Sequence, residues 1–102
     1  TWTDPEPSPL FCPNPVHVLP VDCGQVLVSF GQREHPKGIE AIIADSETPV
    51  LRDTDRVMIR PAEDGDLGYT SAVRLHDGTA LVVYYMTDAE QEACIGATKV
   101  GL

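Results

Sequence analysis

Tyr69-Thr70-Ser71-Ala72-Val73-Arg74-Leu75, then His76-Asp77-Gly78-Thr79, then Ala80-Leu81-Val82-Val83-Tyr84-Tyr85-Met86 is the stretch on which the fold turns. Two runs rich in β-branched and aromatic residues flank a short link containing Asp-Gly, which is hairpin chemistry. Neither run carries a sustained 3.6-residue period with caps, so helix is disfavoured. Working outward, Ala93 to Val100 is a third such run, beyond the acidic loop Asp88 to Glu92. Upstream lie Val16 to Leu19, Gln25 to Phe30, Ile39 to Ala44 and Arg56 to Arg60. Asp22-Cys23-Gly24 and Pro36-Lys37-Gly38 supply the turns between them. The expected fold is all-β, a meander of short antiparallel strands.

The meander repeats. Val16 to Leu19, Gln25 to Phe30 and Ile39 to Ala44 match Ser71 to Leu75, Ala80 to Met86 and Cys94 to Val100 at a spacing of about 55 residues, the period expected of a propeller blade. The first unit has a fourth, outer strand in Arg56 to Arg60, and the second has none. The expected organisation is a Pro-rich connection over 1–15, one blade over 16–60 and three strands of another over 69–100. Pro5, Pro7, Pro9, Pro13 and Pro15 keep the connection extended and out of sheet pairing.

Composition narrows the partners. The 102 residues carry a formal net charge of −9, and the few basic residues are scattered. Backbone phosphates need clustered Lys or Arg, so nucleic acid is not an expected partner. The acidic residues at turns read as a solvated rim. No apolar run reaches the length of a membrane span. Cys12, Cys23 and Cys94 form no paired or CxxC spacing, so neither a disulfide framework nor a metal site is expected, and Cys23 and Cys94 read as small buried hydrophobes. His17, His35 and His76 are not at ligand spacing. The chain opens on Thr1-Trp2 rather than Met, so a longer parent is expected.

Three stretches resemble the sialidase (neuraminidase) superfamily, whose members carry BNR repeats, or Asp-boxes. Thr1-Trp2 resembles the tail of an Asp-box, Ser-x-Asp-x-Gly-x-Thr-Trp. Gly31-Gln32-Arg33 through Pro36-Lys37-Gly38-Ile39, then Ala44-Asp45-Ser46-Glu47-Thr48, is similar to the family's Gly-x-Arg...Pro-x-Gly-Ile-Arg-Ala pair running into an Asp-box. Here Glu40 stands where an Arg is usual, and the Asp-box lacks its Gly and Trp, so Asp45 to Thr48 is expected only to turn the chain. The most specific match is Asp66-Leu67-Gly68-Tyr69-Thr70-Ser71, Leu75-His76-Asp77-Gly78 and Val83-Tyr84-Tyr85 against Asp-Leu-Gly-Tyr-Pro-Ser, Leu-x-Asp-Gly and Val-Tyr-Tyr. The matches span nearly the whole chain in the family's order.

The resemblance implies part of a six-bladed propeller with a site at one end of its channel. Exo-sialidases bind the substrate carboxylate with three arginines and attack with a glutamate-activated tyrosine, and an aspartic acid serves as acid/base; no cofactor is needed. Tyr69 matches the nucleophile. A neutral phenol suits an anomeric carbon that bears a carboxylate, which would repel an attacking carboxylate. Gly68 is expected to leave room for the sugar. Arg33 matches the third arginine, whose planar fork grips a carboxylate through two parallel bonds. Asp66 either orients the Tyr69 loop or a substrate hydroxyl, or caps the turn. Against these stand plain alternatives: Tyr69 packed on the channel wall with its hydroxyl bonded, and Arg33 paired with Glu34 or another surface acid. Tyr84 and Tyr85 alternate on one strand, so one of them should face the core.

The implied function is release of terminal sialic acid from glycans by an exo-α-sialidase-like glycoside hydrolase, of which this is the C-terminal fragment. The partners are then a glycan with a terminal acidic sugar and the remaining blades. The fragment alone is expected to be inactive and poorly stable, with Val28, Ile42, Val73 and Val83 short of partners. The alternative is a non-catalytic propeller module that binds glycan or protein.

Overall fold

The computed structural model describes residues 1–10, 14–34 and 36–102. The Cys12 and His35 readings lie outside the described residues. The chain is all-β: seven strands form two antiparallel sheets, and the described residues contain no α-helix, only a 3-10 turn at Asp53–Asp55. No helix among them is long and apolar enough to cross a membrane. The first sheet holds β1 (Val16–Pro20), β2 (Gln25–Gln32), β3 (Gly38–Asp45) and β4 (Val57–Pro61) in chain order. The second holds β5 (Gly68–Arg74), β6 (Ala80–Thr87) and β7 (Ala93–Val100), also in chain order. Each expected run became a strand, extended or shifted by a residue or two at its ends.

The links behave as their residues dictate. In the 76–79 hairpin, Gly78 adopts φ 86°, the Leu75 amide donates to the Thr79 carbonyl at 2.8 Å, and Asp77 Oδ1 accepts from the Thr79 amide at 3.0 Å. Lys99 on β7 pairs with the same Asp77 carboxylate. Asp45 turns the chain as expected, accepting from the Glu47 and Thr48 amides at 2.8 and 3.0 Å. These amides hold its carboxyl below the usual range. Cys23 corrects its reading. It is exposed, at φ 62° in the β1–β2 turn, because the tight link needs two successive left-handed residues, Cys23 and Gly24. Cys94 is half-buried and packs against the core.

Alternation decides the layers. On β6, Ala80, Val82, Tyr84 and Met86 point toward the first sheet and are buried. They meet Leu27 of β2 and Ile39 and Ala41 of β3, with Leu67 closing one end, to form the main core between the sheets. Burying a side chain the size of Leu27 contributes about 1.5–3 kcal/mol. A second cluster, Val28, Phe30, Ile42 and Ala44, lies on the opposite face of the first sheet under Leu10 and Leu51. Strand β2 is therefore buried on both faces. This corrects the expectation for Val28 and Ile42, which the Pro-rich segment and the 46–56 loop cover. On the outer face of the second sheet Val73 is 52% exposed, as expected, while Val83 is half-buried.

Where β2 and β5 meet, the sheets approach backbone to backbone. A Cβ built on Gly31 would lie 2.7 Å from the Gly68 Cα and 2.9 Å from Leu67 Cδ1. Thr70 Oγ1 donates to the Ser29 carbonyl at 2.9 Å and accepts from Ser29 Oγ at 3.0 Å. Asn14 Nδ2 donates to the Leu67 carbonyl at 3.3 Å. The fully buried Ser29 is thereby satisfied, and β5 is held in one register against its neighbour.

Glu40 is buried and bound by Arg56: Nε to Oε2 at 2.8 Å and Nη2 to Oε1 at 2.7 Å. The Arg56 guanidinium lies over the Phe30 ring, 5.5 Å from its centroid. Arg56, between the 3-10 turn and β4, accounts for the acid at position 40: an arginine there would bury two like charges side by side.

Candidate functional site

The residues that the sequence singled out converge at one end of the sheet pair. Arg33 follows β2, and Tyr69 opens β5. Between Gly68 and Ser71 the β5–β6 pairing slips by a bulge, and a bulge re-aims side chains. Gly68 takes φ 130° and Tyr69 takes φ 48°, a left-handed conformation unusual for a bulky residue. The turn throws the Tyr69 ring outward, where it is 64% exposed. Gly68 itself is buried, and a Cβ there would stand 2.9 Å from Asn14 Nδ2. Close packing against Asn14 and Gly31 therefore accounts for this glycine.

Arg33 is held on two sides. Its Nε donates to the Leu67 carbonyl at 3.2 Å, and its Nη2 donates to the Tyr85 hydroxyl at 3.0 Å. Its Cζ sits 5.9 Å from the centroid of the Tyr69 ring. No acid among the described residues pairs with it: the ion pairs there are Arg56 with Glu40 and Asp53, Arg74 with Asp22, and Lys99 with Asp77, while the Glu34 amide donates to Gln32 Oε1. A guanidinium has five N–H donors. The ones not used by Leu67 and Tyr85 have no protein acceptor among the described residues, beside an exposed aromatic ring in a chain of net charge −9.

Tyr85 is the residue that the sequence did not assign. Its partner Tyr84 is the core-facing one, buried at 3% exposure with its hydroxyl 2.7 Å from Thr98 Oγ1. Tyr85 stands opposite Gly68 in the β5–β6 register, and its ring stacks on Tyr69 with centroids 5.8 Å apart and planes at 29°. Its hydroxyl donates to Asp66 Oδ1 at 2.8 Å while accepting from Arg33. Burial and the Asp66 carboxylate raise its pKa above the ordinary phenol value, against an opposing pull from Arg33. Asp66 thus orients a tyrosine and does not cap the turn; the cap is Asp64, whose Oδ1 accepts from the Asp66 amide at 2.7 Å. No side chain among the described residues bonds the Tyr69 hydroxyl.

The four side chains form an open platform: an aromatic pair, a cation with free donors and a carboxylate engaged behind them. Such a surface can stack a sugar ring and grip an anion. It offers no metal site, since no group of three His, Cys, Asp or Glu residues gathers among the described residues. Comparison of the chain with protein-family models, curated proteins and solved structures finds no match.

Proposed function

We propose that the chain is part of a sialidase-like β-propeller and that Arg33, Tyr69, Tyr85 and Asp66 form part of its site for a terminal acidic sugar. The observation that carries the reading is the convergence of Arg33 and Tyr69. One follows a strand of the first sheet and the other lies on a strand of the second, 36 residues apart in the sequence, and they meet with the guanidinium against the ring. The two sheets would be neighbouring blades, stacked face to face with β1 and β5 as their inner strands. The exposed outer face of the second sheet is where a further blade would pack. Arg33 would bind the sugar carboxylate and Tyr69 would attack the anomeric carbon. The activating glutamate, the acid/base aspartate and the other arginines would come from other blades.

The test is turnover of an aryl sialoside by the full-length protein. Tyr69→Phe should cut turnover severely and leave binding of a sialic acid mimic largely in place, because a nucleophile acts in the chemical step. Arg33→Ala should weaken binding as well. Near-normal turnover by the Tyr69→Phe variant would remove the nucleophile role. One observation favours the second reading, a glycan-binding module without catalysis: no carboxylate among the described residues bonds the Tyr69 hydroxyl, whereas the Tyr69–Tyr85 stack is a ready sugar platform. A full-length protein that binds the acidic sugar and does not turn over the sialoside would support that reading.

A further inference from the structure

We propose that Tyr85 is a positioning residue of this site, setting the plane in which Arg33 presents its free N–H donors to an anion. The inference rests on the acidic-sugar reading above. The chain of contacts runs Asp66 Oδ1, Tyr85 hydroxyl, Arg33 Nη2, at 2.8 and 3.0 Å. A phenol hydroxyl has one proton, and here Asp66 takes it; the oxygen's lone pairs are then aimed at the guanidinium. The second anchor, Arg33 Nε to the Leu67 carbonyl at 3.2 Å, comes from the same loop that carries Asp66. Two bonds from different N–H groups fix a planar ion in rotation as well as position, which a single bond does not.

The same contacts separate the roles of the two tyrosines. Tyr85 has its hydroxyl committed on both sides, and the oxygen that would attack is turned to the Arg33 guanidinium. Tyr69 has an unengaged hydroxyl at an exposed ring, stacked on the ring that Asp66 and Arg33 hold still. Asp66 acts through Tyr85, neutralising part of the Arg33 charge at a distance while leaving the outward donors uncovered. A carboxylate placed directly on Arg33 would have competed with the ligand.

The experiment compares N-acetylneuraminic acid with its methyl ester, which keeps the sugar and loses the charge, on the full-length protein and on Tyr85→Phe. Phenylalanine keeps the ring and its stack on Tyr69. The expected result is a loss of about tenfold in affinity for the acid, equal to about 1.4 kcal/mol, with little change for the ester. Equal losses on acid and ester, or no loss on either while Arg33→Ala loses affinity for the acid, would overturn the proposal. A second readout needs no ligand: the Arg33 Nε–H resonance should be sharp and slow to exchange in the parent protein, and broadened and faster in Tyr85→Phe. If the parent binds neither sugar, the acidic-sugar reading fails. The resonance then decides the positioning claim by itself, and an unchanged Arg33 signal in Tyr85→Phe would refute it.

Discussion

Replacing Glu40 should be among the most damaging single changes in this chain. The Glu40 side chain is 5% exposed and that of Arg56 15%, and two charge-assisted bonds of 2.7 and 2.8 Å join them. Removing one partner of a buried pair costs about 3–5 kcal/mol, because the remaining charge stays buried. Arg56 would keep Asp53, at 3.2 Å and more than half exposed, which recovers part of the loss. Glu40→Ala should therefore cost about 3 kcal/mol. Glu40→Gln keeps the shape and one acceptor oxygen, and should cost about half of that. Glu40→Arg should be worse than alanine, with two guanidinium groups beside Phe30. Paired replacement by Glu40→Leu and Arg56→Met should return most of the stability, since a buried ion pair is often no better than apolar side chains of similar volume. Urea unfolding of the four proteins of the cycle measures the coupling directly. A Glu40→Ala cost under about 1 kcal/mol, the range of surface ion pairs, would refute the reasoning.

Gly31→Ala should destabilise by about 1–3 kcal/mol, because the added methyl meets the Gly68 backbone and the Asn14 amide at 2.7 Å, and chemical denaturation checks it. The Asp77 carboxyl is held well below the ordinary carboxylate range, first by Lys99 and then by Thr79. Its contribution to stability is present above the unfolded carboxylate value, about 4, and is lost as pH falls toward the lower folded value. Melting temperatures between pH 5 and pH 2 should therefore fall less steeply in Asp77→Asn than in the parent, and identical slopes would show that the pairing is not formed. Tyr85 should ionise above the ordinary phenol range in a spectrophotometric alkaline titration, and Tyr85→Phe should remove that late component.

The strands were legible because each is a short run of β-branched and aromatic residues closed by Gly, Pro or Asp, and little else in the chain competes with that pattern. The layering was less so. Val28 and Ile42 sit in runs that are apolar on both faces, and it is the path of the Pro-rich segment and the 46–56 loop, which place Leu10 and Leu51 over them, that makes them core. Cys23 read as a buried hydrophobe by residue type, but the demands of a tight turn outweighed type. At the site, Arg33, Asp66 and Tyr69 were visible through the resemblance, and the structure adds their meeting. Tyr85 stayed hidden because Val82-Val83-Tyr84-Tyr85 is apolar on both faces, so period-two alternation names no inward residue. The bulge at Gly68 to Ser71, which sets Tyr85 opposite Gly68, left no mark in the pattern beyond the glycine itself. Glu40 was noticed as a departure; its reason lay just before β4, in Arg56, 16 residues further along the chain.

The measurement that tests the site most directly is a crystal structure of the full-length protein soaked with the unsaturated sialic acid analogue 2-deoxy-2,3-didehydro-N-acetylneuraminic acid. The account predicts its carboxylate on the outward N–H groups of Arg33 at about 2.8 Å, a charge-assisted distance. It also predicts the Tyr69 hydroxyl beneath the former anomeric carbon, with Tyr85 still bridging Asp66 and Arg33. An analogue bound elsewhere on the protein, with Arg33 and Tyr69 left in contact only with solvent, would contradict it.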